Sequence, residues 1–334
     1  MDATQTVSAA VQIRPVESSA DFDRFLDLPA RLYANDPNWV APIRSSIAKE
    51  LAPDGPFRKY GQLQAFIAVQ ENVAVGRIVA AVNQRLIDRE GQSIGVFGYF
   101  ECVENFAIAQ ALLNAACDWL RSQGMTRVRG PINLSTHNSC LFLAEGFDSP
   151  PMLLMPYNPP CYPRFLVQDG WEKAKDAYAY KLLLDRSLPP EFEKGYRIAS
   201  KSGVQFRPLN LKGEAFTADV RAIYDLFDKS FVNNWSYAPR TFEEFIEEAR
   251  SLQSLVDPQI FWLAEYEGDL IGLFMCLPDY NIVLKRVGGK LDWLGILKFL
   301  WYRRQIDRAR VITIAALPEH RRRMVPLALI HLGM

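Results

Sequence analysis

A pattern that occurs once in each half of the chain limits the folds open to it. AVQIRPVE at 10–17 is matched by GVQFRPLN at 203–210, an offset of 193 positions. FIAVQENVAVGRIV at 66–79 resembles FWLAEYEGDLIGLF at 261–274, and the residues that match between them are 196 positions apart. The matched residues in this second stretch are Ala68 with Ala264, Glu71 with Glu267, Val75 with Ile271, and Gly76 with Gly272. Two matches at nearly one period predict an internal duplication with a small insertion, and therefore two similar structural units.

Composition excludes several classes of protein. The chain has 334 residues, which favours two domains, and its 38 basic residues balance 38 acidic ones. No overall positive field therefore favours nucleic acid. Five cysteines without a CxxC spacing and three histidines predict neither a disulfide framework nor a metal site. The N-terminus lacks a basic region followed by an apolar run, and no apolar stretch reaches the roughly 20 residues of a membrane span, so we expect a cytoplasmic protein.

Hydrophobic periodicity predicts α/β units in which strands and helices alternate along the chain. The strongest signals are a β-hairpin with its turn at Glu71-Asn72 and a helix over 106–123 that Gly124 ends. The other elements predicted in the first half are strands at 12–16, 94–103, 126–133 and 177–184 and helices at 19–34 and 162–169. The second half begins the same order again. We therefore predict domains at 1–186 and 187–334.

This order of elements resembles the GNAT acyltransferase fold, in which helices flank a mixed, twisted sheet. The two matched hairpin sequences resemble the central hairpin of that family, and FLVQDGWEKA at 165–174 resembles its closing helix-to-strand turn. A narrower resemblance covers nearly all of the first half: residues 98–165 and 170–180 are similar to a bacterial group of tandem GNAT-like proteins. The stretch 279–323 resembles their second half.

The resemblance implies an N-acyltransferase that moves an acyl group from acyl-CoA to an amine. Some related proteins are implicated in acylating a sphingoid amine to a ceramide. In such a reaction a base removes a proton from the amine, and a backbone N–H on a splayed strand stabilises the oxyanion. A tyrosine often protonates the thiolate that leaves. The resemblance requires no metal.

The GNAT family binds the CoA pyrophosphate on backbone N–H groups at a glycine-containing turn that opens a helix. The best match to this turn follows a strand predicted at 311–317 and contains Arg321-Arg322-Arg323. Met324 and Pro326 stand where the family has glycines, so one position carries a side chain and the other lacks an N–H. The arginines can still pair with phosphate, or they form a solvated basic cap on a helix. The predicted cofactor-binding residues are Leu317, Arg321, Arg322, Arg323, Met324 and Val325.

Acidic residues occupy the corresponding turn of the first half, ECVENFAIAQ. Glu101 and Glu104 would repel a pyrophosphate, so we do not expect this half to bind CoA in the usual way. Either carboxylate is a candidate general base, or else an exposed loop acid or helix cap. Tyr162 is a candidate general acid, although Phe165-Leu166 stands where many GNAT proteins have their tyrosine.

Polar residues in two loops are candidates for substrate binding. Tyr157 and Asn158 lie in a proline-rich stretch, where they form either a pocket wall or a loop locked by aromatic packing. Asn133, His137 and Asn138 follow a predicted strand, where they can bond a polar head group or face solvent.

A basic segment with an apolar centre bears on the kind of substrate. Residues 285–310 contain eight basic and two acidic residues, with WLGILKFLWY at 293–302 between them. Ten residues are too few to span a bilayer, but they suit an interfacial helix or a lid over an acyl chain, with Trp293 against the substrate. The alternative is a core helix with polar flanks. The first alternative predicts a hydrophobic substrate and peripheral contact with the inner face of a membrane.

The sequence after Ile330 is too short for the last strands and helix of a second GNAT domain. We therefore expect that domain to be incomplete, with an unpaired sheet edge that favours self-association. Two functions remain open: acyl-CoA-dependent N-acylation of a hydrophobic amine, and a non-catalytic GNAT-like protein that binds a ligand, a partner or a membrane surface. A transcriptional regulator is a distant third, since no helix-turn-helix is visible.

Overall fold

The computed structural model describes residues 10–288 and 293–334. Contacts divide the described chain into two compact units. The first contains the chain up to Ala174 together with Asn281–Trp301, and the second contains Lys175–Tyr280 and Tyr302–Met334. The predicted boundary at 186 is a sequence-based division and remains a prediction.

The first unit has a sheet of five strands in the order β1-β2-β3-β4-β5. Its strands are β1 Gln12–Pro15, β2 Gly61–Gln70, β3 Val73–Asn83, β4 Ile94–Cys102 and β5 Arg127–Arg129. Its helices are α1 Ser19–Leu32, α2 Arg44–Leu51, α3 Gln84–Glu90, α4 Phe106–Ser122 and α5 Cys161–Gln168. The first four strands pair antiparallel and β5 joins β4 in parallel, so this sheet is mixed, as predicted.

The predicted hairpin is confirmed. Glu71 and Asn72 connect β2 to β3 with φ angles of 50° and 63°. Two positive φ values are those of a two-residue type I′ turn, which matches the twist of the paired strands. The strand β4 then carries a bulge, because the register against β3 shifts between Arg77 and Val79.

Helix α4 packs across the hairpin where a glycine allows close approach. A Cβ atom at Gly76 of β3 would lie 2.6 Å from Cδ1 of Leu112 of α4. Asn105 begins the helix, since its Oδ1 accepts the N–H of Ala107 at 2.9 Å and of Ile108 at 3.4 Å. The helix ends within one residue of the predicted position.

The strand predicted at 177–184 is wrong. These residues belong to no strand or helix, and their large apolar side chains are exposed. The alternation AYAYKL predicts which face of a strand would be buried, but a strand also needs a neighbour to pair with. None of the described strands pairs with this segment.

The second unit has a sheet of four strands in the order β6-β7-β8-β9, all antiparallel. Its strands are β6 Gln205–Pro208, β7 Phe261–Tyr266, β8 Asp269–Pro278 and β9 Ala309–Ala316. Its helices are α6 Pro190–Lys201, α7 Gly213–Phe231, α8 Phe242–Leu252 and α11 Val325–Gly333. The helices α9 Asn281–Val287 and α10 Trp293–Tyr302 lie between β8 and β9 along the chain, and α9 with most of α10 groups with the first unit.

The register of the second sheet repeats that of the first, which confirms the duplication. Ala68 pairs with Gly76 in one hairpin, and Ala264 pairs with Gly272 in the other. Gly272 again admits a helix, because a Cβ atom there would lie 2.8 Å from Cγ1 of Val325 of α11. A bulge also recurs, since the register between β8 and β9 shifts between Met275 and Cys276.

Helices α9 and α10 follow the second hairpin along the chain, but α9 and most of α10 group with the first unit. Two hydrogen bonds join α9 to residues of that unit. Asn281 donates to the carbonyl oxygen of Pro151 at 2.9 Å, and Lys285 donates to that of Pro37. Among the described residues, no helix combines the length and the apolar composition that a membrane crossing requires.

Candidate active site

Three side chains meet at the end of β4. The hydroxyl of Tyr33 donates to Oε2 of Glu101 at 2.8 Å, and the hydroxyl of Tyr162 lies 2.9 Å from the same oxygen. Tyr33 follows α1 directly, and Tyr162 lies in the first turn of α5. The fold thus joins two predicted residues, Glu101 and Tyr162, with a third that the sequence analysis missed.

Tyr162 is completely buried and ties the end of β4 to α5. Its oxygen accepts the N–H of Cys102 at 2.8 Å and lies 2.9 Å from the carbonyl oxygen of the same residue. The single hydroxyl proton can serve either this carbonyl or Glu101 at any moment. Phe100 packs edge-on against the ring at a centroid distance of 5.0 Å. Tyr162 is therefore held in place by packing and by hydrogen bonds at once.

The carboxyl group of Glu101 is poised for proton transfer. Glu101 keeps partial exposure to solvent although protein atoms crowd around its carboxyl group. Burial raises the pKa of this carboxyl, because the charged form loses hydration, and the Arg77 guanidinium and the two tyrosine hydroxyls offset part of the increase. A carboxyl whose pKa moves toward neutrality is a better proton acceptor near pH 7 than an ordinary one.

Arg77 places a positive charge behind this carboxyl. It stands opposite Glu101 in the register of β3 and β4, and it is 3% exposed. Its Nη1 donates to the carbonyl oxygen of Phe25 at 2.8 Å, and the guanidinium lies 4.8 Å from the centroid of the Phe25 ring. Burial lowers the pKa of Arg77, whereas Glu101 and the surrounding tyrosines raise it. A buried charge of this kind is costly without a partner of opposite sign.

Glu104, the other predicted acid, lies apart from this cluster. Its carboxylate is exposed and forms a 3.2 Å salt bridge with Arg164, also exposed. The structure does not bring Glu104 to Glu101 or Tyr162.

The bulge in β4 is closed by the loop that contains Asn133. Tyr99, at the bulge, has a φ of 50°, and its N–H donates to Oδ1 of Asn133 at 2.7 Å. A Cβ atom at Gly98 would lie 2.4 Å from the carbonyl oxygen of Ile132, so glycine is required for this approach. The loop therefore fills the space where β5 leaves β4, and Asn133 already bonds the backbone there.

A second carboxylate, Glu50, joins the predicted polar loop to this strand. The hydroxyl of Tyr99 and the amide of Asn138 both donate to Glu50. Burial raises the pKa of Glu50, and these two hydrogen bonds oppose the increase. His137 is half-buried, and its backbone N–H donates to Oγ of Ser135 at 3.2 Å. Asn138 and His137 lie together in one loop, as predicted.

Tyr157 and Asn158 have different environments. The hydroxyl of Tyr157 donates to Asp36 at 2.7 Å, beside Tyr33, whose ring lies 6.0 Å from that of Tyr157. Asn158 is buried and bonds both the N–H and the carbonyl of Leu143, at 2.7 and 3.2 Å. Asn158 thus holds the loop together, whereas Tyr157 lies near the Glu101 cluster.

The predicted cofactor turn lies between β9 and α11 in the second unit. Leu317 is buried, a short 3₁₀ helix spans Pro318–Arg323, and Met324 has a φ of 60° immediately before α11. Arg321 and Arg322 are exposed. Arg323 donates to the carbonyl oxygen of Ser202 at 2.8 Å and stacks on Tyr266. Val325 is buried. Of the three arginines in the turn, two therefore face solvent and the third bonds the protein.

Trp293, the last predicted substrate residue, begins α10 and is exposed. In the sequence it is far from Tyr33, Glu101 and Tyr162, which form the Glu101 cluster. In the described parts of the sequence, no group of three or more histidine, cysteine, aspartate or glutamate side chains could hold a metal ion.

Sequence analysis missed Tyr33, Arg77 and Glu50. One signal was available for Arg77: it is the one charged residue in the apolar run VAVGRIVAAV, and buried arginines need partners. Tyr33 and Glu50 carried no such signal, because Tyr33 directly follows α1, Glu50 lies in the last turn of α2, and each meets its partners only through the fold.

Comparison with solved structures gives weak overall likenesses. A tandem GNAT protein from the clavulanic acid biosynthesis pathway is 15% identical, with a TM-score of 0.48 over 96% of this chain and 94% of that one. The aminoglycoside acetyltransferase AAC(6')-Iy, in complex with a CoA-containing bisubstrate analogue, is 14% identical, with a TM-score of 0.33 over 52% of this chain and 99% of that one. No protein-family model matches the chain.

Comparison with curated sequences is more informative. Protein YghO of Escherichia coli (strain K12) is 28% identical over 89% of this chain and 76% of that protein. The bacterial ceramide synthase of Caulobacter vibrioides (strain NA1000 / CB15N) is 33% identical over 298 residues, which cover 89% of this chain and 77% of the synthase. Together with the two sheets of matching register, this similarity establishes that the chain belongs to the bacterial family of tandem GNAT-like proteins that includes this ceramide synthase.

Proposed function

We propose that this protein is an acyl-CoA-dependent N-acyltransferase whose acceptor is a hydrophobic amine, with a sphingoid-type amino alcohol as the first candidate. The observation that carries the proposal is the similarity to a bacterial ceramide synthase over most of both chains. A ceramide is an amide of a long-chain amino alcohol, so this relative's name describes N-acylation of a lipid amine.

The Glu101 cluster supports the first chemical step. The acceptor ammonium must lose a proton before its nitrogen can attack the thioester carbonyl. A carboxylate with a raised pKa is suited to take that proton, directly or through the Tyr33 hydroxyl that bonds it. The amine nitrogen attacks the thioester carbonyl carbon to form the C–N bond of a tetrahedral oxyanion. Collapse of that oxyanion breaks the C–S bond, and the CoA thiolate takes up the proton that the nitrogen releases. Tyr162 is a positioning residue in this scheme, since its hydroxyl is buried and holds Glu101.

Substrate contacts remain as predicted from the sequence. Arg321 and Arg322 are exposed and available to the phosphates of acyl-CoA, in the turn with Leu317, Arg323, Met324 and Val325. Tyr157 and the loop with His137 and Asn138 supply polar groups for an amino-alcohol head group, and Asn133 holds that loop on β4. The exposed apolar residues of α10, Trp293 among them, fit a hydrophobic substrate.

One observation favours the alternative, a non-catalytic protein that binds a ligand. Met324 and Pro326 occupy the turn where CoA phosphates would approach the backbone, and Arg323 is already bonded to Ser202. Both features weaken a phosphate site of the usual kind.

Binding and turnover separate the two functions. Calorimetry with a long-chain acyl-CoA, acetyl-CoA and free CoA measures binding, and mass spectrometry of mixed micelles containing a long-chain amino alcohol measures the amide formed. Amide formation that requires the long-chain acyl-CoA supports the proposal. A folded protein that binds no acyl-CoA and forms no amide overturns it and leaves the non-catalytic function.

A further inference from the structure

Helix α10 directs its apolar side to solvent. The exposed large apolar residues of this ten-residue helix are Trp293, Leu294, Ile296, Leu297, Leu300 and Trp301, and both tryptophans are about two-thirds exposed, at 70% and 66%. Gly295 is buried, and Phe299 and Tyr302 are half-buried. The helix therefore packs through its small and aromatic side and leaves most of its apolar surface in water.

The exposed residues form one continuous face. At about 100° of rotation per residue, the six fall within an arc of about 160°. Gly295, Phe299 and Tyr302 fall on the opposite side of the helix. A surface helix of a globular protein has the reverse arrangement, with its apolar stripe toward the core. An exposed apolar face of this kind marks a surface that contacts a membrane or another protein.

We propose that this face of α10 docks on the surface of an anionic lipid bilayer. The helix is about 15 Å long, half the thickness of the roughly 30 Å hydrocarbon core, so it can lie in the interface but cannot cross it. Tryptophans stand at both ends of the face, and this side chain favours the membrane–water boundary.

The charges around α10 select a negative surface. Residues 285–310 contain eight basic residues and two acidic ones, although the whole chain is neutral. Lys298 lies at the border of the apolar face, and Arg303 and Arg304 follow the helix directly; all three are exposed. Basic residues beside an apolar interfacial face add attraction to anionic lipid head groups. The pairing of apolar face and basic flank favours a lipid surface over a neutral protein surface.

This inference goes beyond the proposed function. It depends on the exposed face of α10 and its flanking charges, and it requires neither acyl-CoA nor turnover. Membrane docking would also place a catalyst beside lipid amines, so the two proposals agree but can fail separately.

Vesicle co-sedimentation of the full chain tests the docking surface. The probes are vesicles of phosphatidylcholine alone and of phosphatidylcholine mixed with phosphatidylglycerol. We expect at least ~10-fold tighter binding to the anionic vesicles, and weaker binding at high salt. The variant Trp293→Ser/Trp301→Ser should lose at least ~10-fold in affinity, because each tryptophan supplies much of the apolar area.

A matched control removes two exposed aromatic residues elsewhere. Tyr178 and Tyr180 are 79% and 91% exposed, in a segment outside any helix or strand. Tyr178→Ser/Tyr180→Ser should bind vesicles as the unchanged protein does. Circular dichroism confirms that each variant is folded.

Three outcomes overturn the proposal: no vesicle binding by folded protein, binding that survives loss of both tryptophans, or equal loss in the tyrosine control. A concentration-dependent dimer that the tryptophan variant abolishes, without vesicle binding, assigns the face to a second copy of the chain instead. Loss of amide formation with vesicle binding intact counts against the proposed function and leaves the docking surface standing.

Discussion

The two units share a strand register but differ in what the register places inside. Arg77 pairs with Glu101 in the first sheet, and at the matching rung of the second sheet Leu273 pairs with Ala315. The offsets, 196 for the first partner and 214 for the second, are those of the neighbouring glycine rungs, Gly76 with Cys102 and Gly272 with Ala316. One unit thus has a buried arginine opposite a partly exposed glutamate where the other buries two apolar side chains.

The difference shows which residues the shared fold requires and which residues it does not require. The second unit shows that hairpin, bulge and packed helix form without charged residues at this rung. Burying Arg77 and crowding the carboxyl of Glu101 costs free energy that an apolar pair would not. Carboxyl groups with perturbed pKa values and specific charged partners concentrate at functional sites. We therefore propose the first unit as the place of acid–base chemistry.

The largest expected effect comes from placing the acid in the wrong unit. Ala315→Glu would bury a carboxylate opposite Leu273, with no guanidinium beside it, and should lower the free energy of unfolding by about 3–5 kcal/mol. Ile314→Glu, at a neighbouring position that is partly exposed, should cost much less. Urea unfolding followed by circular dichroism measures both. Equal stability of the two variants would mean that the matched rung tolerates charge, and the comparison would lose its force.

Removing the acid from the first unit tests its role directly. Glu101→Gln keeps the size of the side chain and an oxygen for Tyr33, but it cannot accept a proton. We expect kcat/KM for amide formation to fall at least ~100-fold, equivalent to about 2.7 kcal/mol. Glu104→Gln, an exposed acid three residues later, should change it less than about twofold. Similar rates for Glu101→Gln and the unchanged protein would exclude Glu101 as the base.

At the matched edge strands the difference is reversed, because there the second unit has the more extensive ion pair. Arg207 of β6 forms bonds of 2.8 and 2.7 Å to Asp219, which also accepts from Asn210 and is buried. Arg14 of β1 makes one contact of 3.2 Å with Asp21. Asp219→Asn should therefore cost about 2 kcal/mol of unfolding free energy and Asp21→Asn less than about 1.

The pH dependence of stability checks the same pair. Burial alone would raise the pKa of Asp219, but hydrogen bonds from Arg207 and Asn210 hold it below its ordinary value. Its contribution should be complete above the ordinary pKa of about 3.9 and disappear as the pH falls through the lower native value. The difference between Asp219→Asn and the unchanged protein should shrink on acidification. A difference independent of pH would contradict the ion-pair account.

A smaller effect is expected from the buried hydroxyl. Tyr162→Phe leaves the N–H of Cys102 without its acceptor, and should cost about 1–2 kcal/mol in urea unfolding. Tyr33→Phe removes one bond to Glu101 and strands no backbone group, so it should cost less. The reverse order would indicate that Tyr33 and not Tyr162 ties the cluster together.

The smallest effect concerns the acid limb of the pH–rate profile. The base must be ionised, so activity should fall as the pH drops through the raised pKa of Glu101. The Tyr33 hydroxyl bond opposes that raised pKa. Tyr33→Phe should therefore move the acid limb to higher pH, by less than about one unit. A shift to lower pH would contradict the assignment of Glu101 to this limb.

Local sequence signals predicted the repeated scaffold well. Alternating apolar residues around Glu71-Asn72 and the three-and-four spacing of α4 are local properties, and both elements lie where they were predicted. The strand predicted at 177–184 was wrong because strand formation depends on pairing with another strand, and local sequence does not specify that partner.

The candidate site was predicted only in part. Glu101 stood out because it lies in a recognisable strand–helix turn, and Tyr162 because it begins the helix predicted at 162–169 after a proline-rich stretch. Tyr33 is 68 residues away from Glu101 along the chain, and Glu50 is 49 residues from Tyr99, so nothing in the local pattern associates them. Asn133 and Asn158 were predicted as ligands, whereas their side chains bond the backbone of neighbouring strands and loops.

The exposed segment 177–184 has a practical consequence for the protein in solution. It lies in exposed chain outside any helix or strand, between α5 and α6, with Lys181 inside it and Arg186 just beyond. Extended exposed chain is the conformation that proteases bind, so trypsin should cut here before it cuts the packed helices and strands. The same stretch, AYAYKLLL, combines aromatic and leucine side chains with one charge, the composition of segments that add to foreign strands. We therefore expect proteolysis and aggregation of the purified protein to begin at the same segment, 177–184.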